Sequence, residues 1–123
     1  MTNPQRILVI EDDADLAVAI QRSLELNGFA VTVASHGGQG LELQRQHPFE
    51  IVVTDIFMPE TDGVEVITRL TREFLGTKII AMSGRTERTR IDYLRFAHQF
   101  GADRVLQKPF SIDELVSAVR ELG

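Results

Sequence analysis

The sequence contains no cysteine, which excludes disulfide bonds and thiolate chemistry. No apolar run is long enough to cross a membrane, and residues 1–6 lack the apolar core of a signal peptide. Histidine is also scarce: His36, His47 and His98 are far apart and lack the spacing of metal ligands. These absences favour a cytoplasmic protein with no membrane contact and no zinc site.

The composition is that of one folded domain. The chain has 123 residues, of which 43% are hydrophobic and 25% are charged, which suits a single domain with a sizeable core. The formal net charge is −5, so we expect no direct contact with nucleic acid. The sequence shows no linker or repeat, and we expect residues 1–123 to form one domain with no effector domain in this chain.

Apolar segments alternate with helical segments along the whole chain. Five short runs predict strands at 7–10, 29–34, 51–55, 78–83 and 104–107. Five helices are predicted between and after them, the fourth over about 86–100. This alternation predicts an α/β fold, a doubly wound parallel sheet with helices on both faces, for which strand order 2-1-3-4-5 is common.

The helix signals also predict caps and buried faces. Asp13 or Asp15 could cap the first helix, and Ser111 with Glu114 would form a capping box on the last one. We expect the first helix to align Leu16, Ile20, Leu24 and Leu26, and the last to bury Ile112, Leu115, Val116 and Val119. The glycine-rich run 37–40 lacks the Lys-Ser/Thr of a phosphate loop, so we interpret it as a loose turn.

Polar residues follow the apolar runs at one edge of the predicted sheet. Glu11 and Asp12 follow the first strand, Asp55 and Ser83 end the third and fourth, and Lys108 follows the fifth. Open α/β sheets bind ligands at the carboxyl ends of their strands. The five side chains are therefore expected to converge on one site.

The chemistry of this set points to phosphoryl transfer. Two carboxylates about 4 Å apart repel by roughly 4 kcal/mol at an effective dielectric near 20, so they retain a proton or bind a cation. Oxygen ligands with no histidine or cysteine suit Mg²⁺. A lysine and a hydroxyl facing the acids would bind the oxygens of an anion, as phosphoryl transfer requires.

The chain resembles the receiver domain of a bacterial two-component response regulator over essentially its whole length. The resemblance rests on Glu11-Asp12-Asp13, Asp55-Ile56-Phe57-Met58-Pro59, Gly63, Ser83 and Lys108-Pro109-Phe110. It implies a phospho-accepting switch, not a turnover enzyme, in which Asp55 is the phosphoacceptor. It implies that Asp12, Asp55 and the Phe57 backbone carbonyl bind Mg²⁺, with Glu11 acting partly through water. It also implies that Ser83 and Lys108 contact the phosphoryl oxygens.

The same resemblance implies the partners. A histidine kinase or histidine phosphotransfer protein would supply the phosphoryl group. A downstream protein target or an effector domain would read the face made by the fourth helix, fifth strand and fifth helix. A phosphorylation-dependent dimer is compatible with this mode of signalling.

Two features depart from the family pattern. Val105 occupies the position on the fifth strand where members usually carry a switch aromatic, and the segment between Ser83 and Lys108 is slightly longer than in typical members. The predicted fourth helix also carries Tyr93, Phe96 and Phe100 on one face. That face either packs on the sheet or docks a partner, since exposed aromatics and arginines are common interface anchors.

Other functions remain open at this point. Asp13-Ala14-Asp15 resembles the motif of phosphohydrolases with an aspartate nucleophile, although the chain is short for such an enzyme. A flavodoxin-like electron carrier would share the fold, but the acids after the first strand would repel a flavin phosphate. A receiver used only for docking would not need the intact acid, hydroxyl and lysine set.

Overall fold

A computed structural model of the chain describes residues 4–56, 63–83, 99 and 101–123. Five strands form one sheet in the order β2-β1-β3-β4-β5, and every neighbouring pair is parallel. The predicted strand order is confirmed. The strands are β1 (Arg6–Ile10), β2 (Ala30–Ala34), β3 (Ile51–Asp55), β4 (Lys78–Ser83) and β5 (Arg104–Gln107).

Four helices lie in the described residues and pack on both faces of the sheet. They are α1 (Ala14–Leu26), α2 (Gly37–Gln46), α3 (Gly63–Glu73) and α4 (Ile112–Leu122). The predicted helix over 86–100, with its aromatic face, lies outside the described residues except for Gln99, which is helical. No helix among those described is long and apolar enough to span a membrane.

The sheet separates two apolar cores. On one face, Leu8 and Ile10 of β1 pack with residues of α2 and α3; on the other, Ile7 and Val9 pack with residues of α1 and α4. Successive side chains of a strand point to opposite faces, so a central strand buried on both sides is apolar over most of its length. All five residues of β3 are buried, and this fixes the position of Asp55 at the strand's end.

Helix α1 begins as the sequence predicts but buries a narrower face. The side chain of Asp13 accepts hydrogen bonds from the backbone N–H groups of Asp15 (3.1 Å) and Leu16 (3.2 Å). Ile20 and Leu24 are buried, whereas Leu26 is 88% exposed. The prediction for Leu26 was wrong because, at 3.6 residues per turn, it lies about 200° around the helix from Leu24 and so on the opposite side.

The glycine-rich run 37–40 is helical, and its interpretation as a loose turn was wrong. These residues form the first turn of α2, which His36 caps through its Nδ1, an acceptor for the Gln39 N–H at 3.2 Å. A Cβ on Gly40 would lie 2.7 Å from Cγ1 of Ile10. Glycine is therefore required there by close packing of α2 on β1.

The last helix, α4, is capped as predicted. Ser111 Oγ accepts a hydrogen bond from the Glu114 N–H at 3.1 Å. Leu115, Val116 and Val119 are buried, but Ile112 is 45% exposed, so the prediction for Ile112 was wrong. Ile112 is the first residue of the helix and lies at the margin of the buried stripe.

Candidate functional site

Four strand ends bring the predicted site residues to one edge of the sheet. Glu11 directly follows β1, Asp55 ends β3, Ser83 ends β4 and Lys108 follows β5. The backbone continues the strand pattern here: the Lys108 N–H donates to the Ser83 carbonyl at 2.7 Å. Glu11, Asp55 and Ser83 are buried, and Lys108 is partly buried.

Lys108 contacts two acids that precede it in sequence by 97 and 53 positions. Its Nζ donates to Oε2 of Glu11 at 2.9 Å and to Oδ2 of Asp55 at 3.1 Å. The exposed fractions of the Glu11 and Asp55 side chains are 1% and 7%. A buried carboxylate requires such a partner, because an unpaired charge away from water is costly.

The pKa values of this group reflect burial and pairing. Burial raises the pKa of Glu11; the hydrogen bond from Lys108 opposes this rise and the charge of Asp55 adds to it, so the net direction is upward. Burial alone would lower the pKa of Lys108, but its hydrogen bond to Glu11 and the charges of Asp55 and Glu11 outweigh that effect. The pKa of Lys108 is therefore raised, and its ammonium stays charged at neutral pH.

The acids are arranged as a cation site would require. One carboxylate oxygen from each of Glu11, Asp12 and Asp55 lies within 4.8 Å of the other two. Asp12 is exposed, whereas the other two are buried. Hard divalent cations favour oxygen donors, and Mg²⁺ usually keeps several waters beside one or two carboxylates. The donor set fits this ion, with Asp12 on the solvent side where those waters would lie.

Ser83 places a buried hydroxyl at the end of the neighbouring strand. The residue is fully buried, and among the described residues its Oγ has no hydrogen-bond partner. Buried hydroxyls are normally paired, so an unpaired one calls for a functional explanation.

Three further sequence predictions concern Asp13, Val105 and Phe57. Asp13 caps α1 through its carboxylate, so the Asp13-Ala14-Asp15 segment has a structural role at the start of that helix. Val105 is partly buried and packs against the core beneath α2 and α3. Phe57, whose backbone carbonyl was expected to bind the metal, lies outside the described residues.

Sequence reasoning missed the ion pair between Glu11 and Lys108. These residues are 97 positions apart, and the sequence suggested an acid for metal binding and a lysine for phosphoryl oxygens. It also missed a hollow of about 330 Å³ lined by Leu16, Lys108, Pro109 and Phe110. The one sequence feature that points to the Glu11–Lys108 ion pair is the side chain of Glu11, which is longer than that of an aspartate.

Comparison with known sequences identifies one family. The sequence model of the response regulator receiver domain family matches residues 7–120. The transcriptional regulatory protein PrrA of Mycobacterium tuberculosis is 35% identical over 122 residues, covering 99% of this chain and 51% of that protein. The chain thus spans about half the length of the curated relatives it matches.

Solved structures agree with this assignment. A CheY-like response regulator receiver domain protein from Methanospirillum hungatei superposes with a TM-score of 0.89 at 26% identity, covering 96% of this chain and 92% of that one. The response regulator protein TrrA from Thermotoga maritima, in complex with Mg²⁺-BeF, gives a TM-score of 0.84 at 27% identity, covering 97% and 99%.

Proposed function

Because the chain belongs to the response regulator receiver domain family, we propose that it is a phosphoryl-accepting switch in which Asp55 is the phosphoacceptor. Receiver domains are signalling switches and not turnover enzymes. The same family membership favours this reading over the phosphohydrolase and flavodoxin-like alternatives.

The contact between Asp55 and Lys108 is the observation that carries the assignment. A buried carboxylate at a strand's carboxyl end lies 3.1 Å from a fixed ammonium, and it shares an oxygen cluster with two further acids. This combination would neutralise charge on a phosphoryl group beside the carboxylate that we propose as nucleophile. A purely structural ion pair would not need the adjacent acids or the unpaired hydroxyl of Ser83.

The proposed reaction exchanges one bond to phosphorus for another. A carboxylate oxygen of Asp55 bonds to the phosphorus of a phosphohistidine as the phosphorus–nitrogen bond breaks and its electron pair returns to the imidazole. Lys108 and Ser83 donate to the phosphoryl oxygens, whose charge is spread over the transition state. Later attack of water on phosphorus would restore the carboxylate and release phosphate, which we propose as autodephosphorylation.

Mg²⁺ is the cation we propose for the acidic cluster. Bound there, it would supply charge neutralisation and help orient the phosphoryl group. We assign Glu11, Asp12 and Asp55 to its carboxylate environment, with the carbonyl of Phe57 as a further ligand. The acid set supports this proposal, as does the related TrrA structure in complex with Mg²⁺-BeF.

We further propose a histidine kinase or phosphotransfer protein as donor. The mostly apolar hollow to which Lys108 contributes supports this proposal, because Lys108 also contacts Asp55. The output would pass through β5, α4 and the segment 84–100 to a downstream protein or an effector domain. Val105 gives this face a smaller side chain than the family's usual aromatic, so the coupling takes a different form here.

The test is phosphoryl incorporation from acetyl phosphate, followed by intact-protein mass spectrometry. We expect one phosphoryl group per chain in the presence of Mg²⁺ and none after chelation or in Asp55→Asn. Asp113→Asn, an exposed aspartate on α4, is the matched control and should incorporate normally. Incorporation in Asp55→Asn equal to that of the unaltered chain would remove Asp55 as the acceptor.

A further inference from the structure

We propose that Gln107 is a positioning residue whose side-chain amide donates to the Ser83 hydroxyl when that hydroxyl donates to a phosphoryl group on Asp55. The inference rests on the proposed function, because it deepens the role given there to Ser83. The observation that carries it is a pair of polar side chains, one buried and one exposed, that lie in register on neighbouring strands and make no hydrogen bond.

Ser83 and Gln107 lie on the same face of the sheet. The two residues are in register between β4 and β5. Ala81 belongs to the core beneath α2 and α3, and Val105 packs against that core. Side chains two residues apart on a strand point to the same face, so Ser83 shares a face with Ala81, and Gln107 with Val105. The two polar side chains are therefore direct neighbours across the strands.

The backbone holds this pair in place. The Lys108 N–H donates to the Ser83 carbonyl at 2.7 Å, so strand pairing continues to the residue after Gln107. Neighbouring strands of a sheet are about 4.8 Å apart. A glutamine side chain and a hydrogen bond of about 2.9 Å together span that gap. The Gln107 amide therefore reaches the Ser83 hydroxyl without a shift of either strand.

The two groups are unpaired in the resting structure. Ser83 is fully buried, whereas Gln107 is exposed. Within the described part of the chain, neither the Ser83 hydroxyl nor the Gln107 amide has a hydrogen-bond partner. Pairing at rest would cost the rotamer freedom of a long side chain in return for one neutral hydrogen bond. The amide thus stays hydrated unless a further contact favours the pair.

A phosphoryl group on Asp55 supplies that contact. A serine hydroxyl has one proton to donate and two lone pairs that accept. Once the Ser83 proton points to a phosphoryl oxygen, only the lone pairs remain, and donation to a charged group makes them stronger acceptors. Gln107 is the in-register donor on β5, so its amide extends the hydrogen bonds from the phosphoryl group to the edge of the sheet.

Pairing also changes the surface of β5. This strand is the edge of the described sheet, and Gln107 is its last residue. When the amide turns onto Ser83, an exposed polar group is withdrawn from water at that edge. A phosphoryl group on Asp55 is thereby sensed on the proposed output face through a polar side chain, on a strand where Val105 supplies no aromatic ring.

The first experiment follows the Gln107 side-chain amide by NMR in Mg²⁺ with beryllofluoride, a tetrahedral analogue of the phosphoryl group. The signal is identified as the side-chain amide missing from the spectrum of Gln107→Met. At saturation we expect its proton exchange with water to slow roughly fivefold, as expected for one neutral hydrogen bond. In Ser83→Ala the rate should not change. Equal rates with and without beryllofluoride in the unaltered chain would overturn the proposal.

The second experiment is a double-mutant cycle on beryllofluoride affinity, measured by fluorine NMR titration. Gln107→Met should weaken binding roughly 3- to 10-fold in the unaltered chain. It should have no effect in Ser83→Ala, because the hydroxyl through which it acts is absent. Gln46→Met, at an exposed glutamine on α2, is the matched control and should bind like the unaltered chain. An equal loss in both backgrounds would show that Gln107 acts without Ser83, contrary to the proposal.

The inference and the proposed function fail in different ways. If the unaltered chain binds no beryllofluoride and takes up no phosphoryl group from acetyl phosphate with Mg²⁺, the proposed function fails. If it does both but Gln107→Met binds beryllofluoride as tightly, only the role of Gln107 fails. Gln107→Met should also leave the urea midpoint of unfolding unchanged, since the side chain is exposed and unpaired at rest. A lower midpoint without coupling to Ser83 would make Gln107 a structural residue.

Discussion

At the scale of single residues, Ser83 carries a cost in the unphosphorylated protein. Its hydroxyl is buried without a partner among the described residues, and a buried unpaired hydroxyl is destabilising by about 1–3 kcal/mol. A side chain retained at such a cost serves a purpose that the resting structure does not use. Binding of a phosphoryl oxygen is the purpose we assign to it.

Replacement of Ser83 by alanine should therefore separate stability from function. We expect the free energy of unfolding to rise by up to about 1 kcal/mol, because an unpaired polar atom is removed from the interior. Phosphoryl uptake should become slower at the same time. Urea denaturation and the rate of incorporation from acetyl phosphate measure the two effects.

Ser117→Ala is the control for this prediction, because Ser117 is exposed on α4. It should change neither quantity appreciably. A lost hydrogen bond typically costs about 1 kcal/mol or more. If Ser83→Ala loses that much stability, the Ser83 hydroxyl has a structural partner.

Single residues also show where sequence reasoning reached its limit. The acids and the lysine were predictable because parallel strands bring their carboxyl ends to the same edge of a sheet. The pairing of Glu11 with Lys108 was not, since it depends on side-chain reach across the ends of three strands. Sequence position indicates which edge a residue occupies, but not which neighbour its oxygens contact.

At the scale of elements, α2 shows how one glycine sets the distance between a helix and the sheet. The Gly40 backbone approaches Ile10 so closely that a Cβ would lie 2.7 Å from its Cγ1. Ile10 directly precedes Glu11, so this contact supports the strand end that carries the site. A larger side chain at position 40 must displace either the helix or Ile10.

Gly40→Ala should destabilise the domain by about 1–3 kcal/mol, the usual cost of forcing an extra group into a packed core. Gly38→Ala on the same helix is the matched control, because the nearest atom to its Cβ is Nδ1 of His36 at 3.4 Å. That variant should gain stability, by up to about 1 kcal/mol, from the higher helix propensity of alanine. Thermal and urea unfolding give both values.

Shortening the Ile10 side chain tests whether its close contact with position 40 causes the loss of stability. Ile10→Val removes the terminal methyl group that faces Gly40, and it should recover part of the loss in the double variant with Gly40→Ala. If the two substitutions are simply additive, the close contact is not the source of the destabilisation.

The elements that the sequence predicted well share a physical cause. The bounds of β4 and β5 agree with the prediction, because a short apolar run between polar residues has few alternatives. Ile112 failed because a helical period does not define where a buried stripe ends along the helix, whereas Leu26, about 200° from Leu24, lies off that stripe. The glycine-rich run failed because its conformation depends on packing against Ile10, a contact that local propensity does not contain.

At the scale of the whole molecule, cation binding should stabilise the fold. An ion that binds the folded state alone adds RT ln(1 + [L]/Kd) to the free energy of unfolding, about 1.4 kcal/mol at ten times Kd. We therefore expect the melting temperature to rise with Mg²⁺ in the unaltered chain and not in Asp12→Asn, in which a rim carboxylate is lost. Calorimetric scans at constant ionic strength measure the shift.

Asp113→Asn should retain the Mg²⁺-dependent shift, because its carboxylate lies outside the acidic cluster. Equal shifts in Asp12→Asn and the unaltered chain would place the stabilising ion elsewhere on the molecule.

The fold and the edge that holds the site were predictable from the sequence at this scale, since both follow from alternating strands and helices.

Lys108 can finally be regarded as a counter-ion that is covalently attached to the protein. A tethered group occupies its site at an effective concentration that dissolved ions of the same charge do not match. The three acids of the cluster and this one ammonium leave a formal charge of −2. A divalent cation brings the site to neutrality, whereas a single sodium or potassium ion does not. We therefore expect the site to prefer a divalent ion to a monovalent one of similar size.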